Sequence, residues 1–252
     1  MLFDINTAVG HWPFRQIPYK TLPELKGYLE SEGIGGAAVS STHAVFYKNC
    51  QDGNLELARE LEEYDGFFVG VATLNPLYAA WERDLESCAE LGFRALRMLP
   101  KYHAYEWSAP EAQAMIAKAG ELGMPILVPH ELVNFRQRHH LEPEKPLNFN
   151  EFLQVAVANP KTDFIYMETA VLPKGNYPSN LYFEMSRYRS SYSNNLGLLI
   201  ENVGADHVLF GTGAPFKAAE PAILKLHTSK LFGDALELVS SENARRLLKI
   251  VR

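Results

Sequence analysis

Cysteine is scarce: Cys50 and Cys88 are the only two in 252 residues. They stand far apart and outside any CxxC spacing, so neither a disulfide framework nor a thiolate zinc site is indicated, and both read as ordinary thiols of a reducing compartment. No apolar run approaches the length of a bilayer span. The first residues offer neither a basic stretch nor an apolar core with a small-residue cleavage site. The expected setting is the cytoplasm, without a membrane partner. Charge of one sign is never concentrated. Lys and Arg number 24 against 30 Asp and Glu, a formal net charge of -6, and with no basic run to track a phosphate backbone, nucleic acid is not an expected partner. A Gly-rich phosphate turn after the first strand is also absent, which argues against a doubly wound nucleotide-binding sheet.

What is present is 47% hydrophobic residues, enough for a large core, and the expectation is a single domain over residues 1–252. Short β-rich runs at 2–8, 36–41, 67–74, 93–99, 125–130, 163–169, 180–186 and 207–212 alternate with longer helix-period segments. Thr21-Leu22-Pro23-Glu24 and Ser108-Ala109-Pro110-Glu111 have capping-box spacing before two helices, and Gly33, Gly92 and Gly123 stand where helices stop. Strand and helix units repeated in this way predict a parallel (β/α)8 barrel. One unit is irregular: residues 170–179 carry two prolines and a glycine, so the helix between the sixth and seventh strands is expected to be missing or reduced to a turn. The longest connections, 10–20, 42–53 and 131–150, follow strands and lie on the C-terminal face, where barrels build active sites.

The first strand, Phe3-Asp4-Ile5-Asn6-Thr7-Ala8-Val9-Gly10, has the frame of a metal-binding strand without its imidazoles. Alternate side chains of a strand share a face, so Asp4, Asn6 and Ala8 point one way, and they offer an amide and a methyl group where Asp-x-His-x-His would offer two rings.

With this strand, Leu74-Asn75-Pro76, the segment Leu91 to Arg97, Leu122-Gly123-Met124-Pro125 leading to His130, Val208-Leu209-Phe210-Gly211-Thr212-Gly213, and Ser241-Glu242-Asn243-Ala244 resemble, in order and nearly end to end, the amidohydrolase superfamily, specifically its amidohydrolase-related (amidohydrolase 2) branch of small barrels. The resemblance implies a hydrolase. It also shows what this chain has changed: the paired histidines fall on Asn6 and Ala8, the eighth-strand aspartate on Gly213, and the sixth-strand histidine of many relatives on Glu168, leaving His130 alone of the usual ligands. One His and one Glu are too few to hold Zn²⁺ without further donors, so a binuclear site is not expected. A single weakly held divalent ion, Zn²⁺ or Mn²⁺, on His130 and Glu168 is left open.

His130 and Glu168 are the candidate catalytic pair, His130 as general base on a water, with Glu168 or Asp4 to orient it. Arg97, in alternation within the fourth strand, and Arg187, after the seventh, are candidates to clamp an anionic substrate, since a guanidinium binds carboxylate bidentately. The plainer alternative for Arg97 is an ion pair with a neighbouring acid. Asn6, His11, Arg15 and Gly213 complete the expected substrate pocket, Gly213 through backbone amides and the room it leaves. Asp4 is expected to be structural. His43, Tyr47, His103, Tyr105 and the pair His139-His140 read as surface or packing residues. The leading expectation is hydrolysis of a small carboxylated or sugar-acid/lactone metabolite, a lactone being the easier metal-free substrate because a strained ester needs little electrophilic help. The alternatives are a non-catalytic metabolite-binding barrel and a mononuclear metal-dependent hydrolase or decarboxylase. A homo-oligomer is left open.

Overall fold

The computed structural model describes residues 1–64, 66–143, 145–170, 172, 174–189 and 195–250. Eight strands, β1 (Leu2–Val9), β2 (Ile34–Ser41), β3 (Phe68–Thr73), β4 (Ala95–Arg97), β5 (Ile126–Pro129), β6 (Phe164–Met167), β7 (Leu181–Glu184) and β8 (Val208–Leu209), form one sheet in sequence order. Every neighbouring pair is parallel. The ends meet where Ile5 N donates to the Phe210 carbonyl (3.1 Å), Ala8 N to that of Ala214 (2.9 Å) and Gly213 N to that of Asn6 (3.0 Å). The chain is a (β/α)8 barrel, as its alternating periodicity predicts.

Strand alternation sorts the core into two shells. In β6, Phe164 and Tyr166 join the layer beneath the helices, while Ile165 and Met167 join Phe3, Ile5, Ala38, Val71, Ala95, Leu127 and Leu209 inside the barrel. The same alternation turns Arg97 inward with Ala95, and Glu184 inward with Tyr182. β1 departs from it. Its ladder with β2 shifts register between Asp4 and Thr7, and across this bulge both Ile5 and Asn6 reach the interior.

Local signals at helix ends were partly obeyed. Thr21 N donates to Glu24 Oε2 (3.2 Å) at the start of the helix Leu22–Ser31, and Gly33, Gly92 and Gly123 take positive φ at helix ends. The second capping box does not form: the helix Pro110–Leu122 begins one residue later, with Ala109 as its N-cap and no side-chain bond, which puts Glu111 out of step with Ser108. The connection after β2 is also shorter than its sequence suggests. A helical turn, His43–Phe46, lies within it, and the helix Cys50–Leu61 starts inside the predicted loop because Asn49 caps the Gln51 N–H (3.2 Å). Between β6 and β7 no helix occurs among the described residues; Val171 and Pro173 lie outside them. No helix is long and apolar enough to cross a membrane, among the described residues.

Candidate active site

The C-terminal ends of β1, β4, β6, β7 and β8 converge on one buried polar cluster with Asn6 at its centre. Asn6 Nδ2 donates to Glu168 Oε1 (2.7 Å) and reaches Glu184 Oε2 (3.4 Å), while its Oδ1 accepts from Arg97 Nη2 (3.3 Å). Asn6 is thus a hub that uses two amide N–H donors and its carbonyl acceptor at once, whereas a neutral imidazole offers one donor and one acceptor and its cation two donors and no acceptor. Beneath it, Asp4 Oδ1 accepts from the backbone N–H groups of Asn6 (2.9 Å) and Thr212 (3.0 Å), and Oδ2 accepts from Thr212 Oγ1 (2.5 Å). Burial outweighs these bonds and lifts the Asp4 carboxyl to about 7.

Glu168 follows Met167, so regular alternation would turn it out of the barrel. Its φ of 59°, a left-handed conformation that costs a non-glycine residue free energy, returns the carboxylate to the interior, where it is 3% exposed. There Oε2 accepts from Arg187 Nε (2.9 Å) and Lys217 Nζ (2.7 Å), and Oε1 accepts from Asn6 and from Ser186 Oγ (3.4 Å). Glu184 lies beside it, accepting from Ser186 Oγ (2.9 Å), the Ser186 backbone N–H and the Glu168 N–H (3.3 Å). Burial first, and the Glu168 charge second, raise its pKa.

Two arginines were candidate anion clamps, and the structure treats them differently. Arg187 spans Glu168 and Glu131 and is spent on the protein's own carboxylates. Arg97, 3% exposed, takes part in no ion pair among the described residues, and its Nε has no hydrogen-bond partner. Burial lowers its pKa to about 10, partly offset by the charges of Glu168, Glu184 and Asp4, so it remains a cation at neutral pH. The neighbouring-strand ion pair offered as the plainer alternative is not formed among the described residues.

His130 stands at the end of β5 with Nδ1 2.6 Å from the Tyr166 hydroxyl. Tyr166, not Glu168 or Asp4, is the group that orients it. Burial, then the Arg187 charge, lowers the imidazole pKa, so the ring is neutral at pH 7, and burial pushes the Tyr166 phenol up so that it keeps its proton. Beside His130 lies a cavity of about 20 Å³ bounded by Leu99, Tyr102, Glu131 and Leu147, room for roughly one water. Trp12, Ile17, Leu132 and Val133, with Phe14, Tyr102 and Phe216, form a separate apolar cluster. In it the Trp12 ring meets the edges of Phe14, Phe46, Tyr102 and Phe216.

Arg15 reaches Gln137 Oε1 (3.4 Å) and the Phe216 carbonyl (3.3 Å), and lines an open cleft of about 500 Å³ together with Ser186, Thr212 and Lys217. His11 is placed apart from the cluster: it is exposed, stacked on His43 at 5.9 Å between ring centroids. Gly213 lies against Glu168 and Lys217. Of the sequence-predicted residues, Asn6, Glu168, Arg97, Arg187 and Gly213 are brought together, with His130 adjoining. Sequence reasoning missed Glu184, Ser186 and Lys217. Glu184 had a signal, an acid in strict alternation inside a buried strand; Lys217, in a loop, had none.

These donors do not fit a divalent metal. Among the described residues no three His, Cys, Asp or Glu side chains converge to hold one. Both oxygens of Glu168 already accept hydrogen bonds, two of them from cations, and His130 Nδ1 faces a hydroxyl.

The family profile described as Amidohydrolase matches residues 13–250. No curated protein matches the chain by sequence. Among solved structures, 5-carboxyvanillate decarboxylase from Sphingomonas paucimobilis is 14% identical, with 99% of both chains covered and a TM-score of 0.77. The 2,6-dihydroxybenzoate decarboxylase from Rhizobium is 16% identical, with 99% of both chains covered and a TM-score of 0.72. A probable 2-pyrone-4,6-dicarboxylic acid hydrolase from Acinetobacter baumannii, with citric acid bound, is 11% identical, with 98% of this chain and 99% of that one covered and a TM-score of 0.69. At these identities the likeness shows a shared fold.

Proposed function

Because the chain belongs to the amidohydrolase family, matched over residues 13–250, we propose that it hydrolyses a small carboxylated ester of the lactone type without a metal ion. The observation that carries this reading is Arg97, a buried guanidinium that makes no ion pair among the described residues and whose Nε has no hydrogen-bond partner; a buried cation left short of partners is poised for an anionic ligand. The structural relatives support the substrate class, since their names describe compounds bearing carboxylates, one of them a cyclic ester.

In the proposed reaction the substrate carboxylate lies on Arg97, and a water beside His130 attacks the ester carbonyl. With Nδ1–H donated to Tyr166, Nε2 carries the lone pair that takes the water's proton. The carbonyl carbon gains the hydroxyl oxygen, its bond to the ring oxygen breaks, and the leaving oxygen recovers the proton from His130. A lowered imidazole pKa keeps the base form available at neutral pH.

A second reading, a metabolite-binding barrel without turnover, is favoured by one observation: Glu168 is fully engaged by Asn6, Arg187, Lys217 and Ser186. Calorimetry and absorbance assays with 2-pyrone-4,6-dicarboxylate and citrate separate the two. Arg97→Met should weaken binding by about 10- to 100-fold, the scale of one lost charge-assisted pair, and His130→Ala should abolish hydrolysis while binding persists. Binding without turnover in the wild type supports the second reading. Turnover that survives His130→Ala removes the histidine from the mechanism, and binding unchanged by Arg97→Met removes the anion clamp.

A further inference from the structure

Gly213 takes a φ of +78°, and a Cβ placed there would overlap Lys217 Cε and stand 2.6 Å from Glu168 Oε1 and 2.9 Å from Lys217 Nζ. The volume that a side chain at 213 would use is therefore filled by the end of a lysine. The local backbone arranges this: Lys217 N donates to the Gly213 carbonyl (3.1 Å), closing a turn that folds the lysine back over the glycine. Its ammonium donates to Glu168 Oε2 (2.7 Å) and, at closer range, to Ser186 Oγ.

Glu168 and Glu184 share two donors. Asn6 Nδ2 lies 2.7 Å from one and 3.4 Å from the other, and Ser186 Oγ 3.4 Å and 2.9 Å. Two buried carboxylates this close repel each other strongly unless a cation is held against them. We propose that the Lys217 ammonium, admitted by the absence of a side chain at Gly213, is a tethered cation of the barrel mouth: with Arg187, which also holds Glu168, it offsets the charge of the Glu168–Glu184 pair, and it closes the mouth to divalent metal. Lysine and glycine form one exchange, in which a bulk is removed at 213 and a charge is delivered from 217. Lys217 also lines the open cleft, so the same ammonium presents positive charge to an entering ligand. This inference does not depend on the hydrolysis reading; its test reads metal content and stability, and needs no substrate.

The experiment compares wild type with Lys217→Ala and Lys217→Met, each purified from cells grown with added Mn²⁺ or Zn²⁺. Elemental analysis should find wild type substoichiometric in both ions, and its Tm should not move when Mn²⁺ is added. Lys217→Ala should lose about 5 °C in Tm or more, recover much of it with Mn²⁺ and copurify with metal, because the pair of carboxylates then faces an empty volume. Lys217→Met should lose stability without that recovery, since its side chain fills the space and carries no charge. Wild type holding one divalent ion per chain overturns the proposal, as does Lys217→Ala with an unchanged Tm and no response to Mn²⁺. If Lys217→Ala is insoluble with and without Mn²⁺, the Lys217→Met Tm decides, and a value equal to wild type overturns the proposal.

Discussion

Asp4 carries an aspartate's ordinary pKa of 3.8 up to about 7, because burial costs its charge more than the Thr212 and Asn6 bonds return. The folded state therefore holds the Asp4 proton more tightly than the unfolded chain does. Its contribution to stability is complete below the unfolded value, declines as pH rises, and is lost above about 7. Asp4→Asn, which keeps an acceptor for the two backbone N–H groups, should gain stability relative to wild type between pH 5 and pH 8. Urea denaturation at several pH values measures this, and parallel pH profiles for the two proteins would refute it. At this scale, legibility followed backbone regularity. Arg97 was readable because β4 alternates strictly, and Glu184 was equally readable but overlooked. Glu168 was placed at the mouth for its strand position, yet its inward turn depends on a left-handed φ that no pattern announces.

Helices and strands are joined by amides that satisfy carbonyls left over at their ends. Asn180, preceding β7, donates from Nδ2 to the carbonyls of Ala156 (3.1 Å), Asn159 (2.9 Å) and Thr162 (2.8 Å), fastening the end of the helix Phe149–Ala158 to the sheet. Asn54 does similar work on both sides of Thr73, with Nδ2 to its carbonyl and Oδ1 to its N–H, each at 3.0 Å. Asn180→Ala should cost about 2–3 kcal/mol through unsatisfied carbonyls. Asn180→Asp should cost more at pH 7, since a carboxylate would face three carbonyl oxygens, and should approach the alanine variant in acid. Chemical denaturation measures both; an aspartate variant as stable as wild type at pH 7 would sink the account. The existence of these elements was legible from periodicity, whereas their exact starts followed caps such as Asn49 and Ala109 that compete with nearby alternatives.

Across the whole molecule the barrel has a closed bottom and a charged top. The last helix, Asn243–Leu247, plugs the lower end: Ala244, Leu247 and Leu248 join the inner core, and Asn243 Nδ2 donates to the carbonyls of Ala205 and Val208, both at 2.8 Å. A chain ended after Glu242 should lose cooperative thermal unfolding, because it exposes the inner shell to water; a circular-dichroism melt as sharp as that of the full chain would contradict this role. Such a core contrasts with the upper end, where Asp4, Glu168 and Glu184 are set against Arg97, Arg187 and Lys217.

The order of eight strands and the loss of the expected metal ligands were determined by the sequence itself, since hydrophobic period is a local property and a missing imidazole is visible wherever it falls. Tertiary structure alone decided what replaced the ligands. Lys217 meets Glu168 across 49 residues of chain and Asn6 meets Glu168 across 162; barrel closure, a bulge in β1 and one left-handed residue bring them together. Those are properties of the closed barrel, and no single segment of the chain contains them.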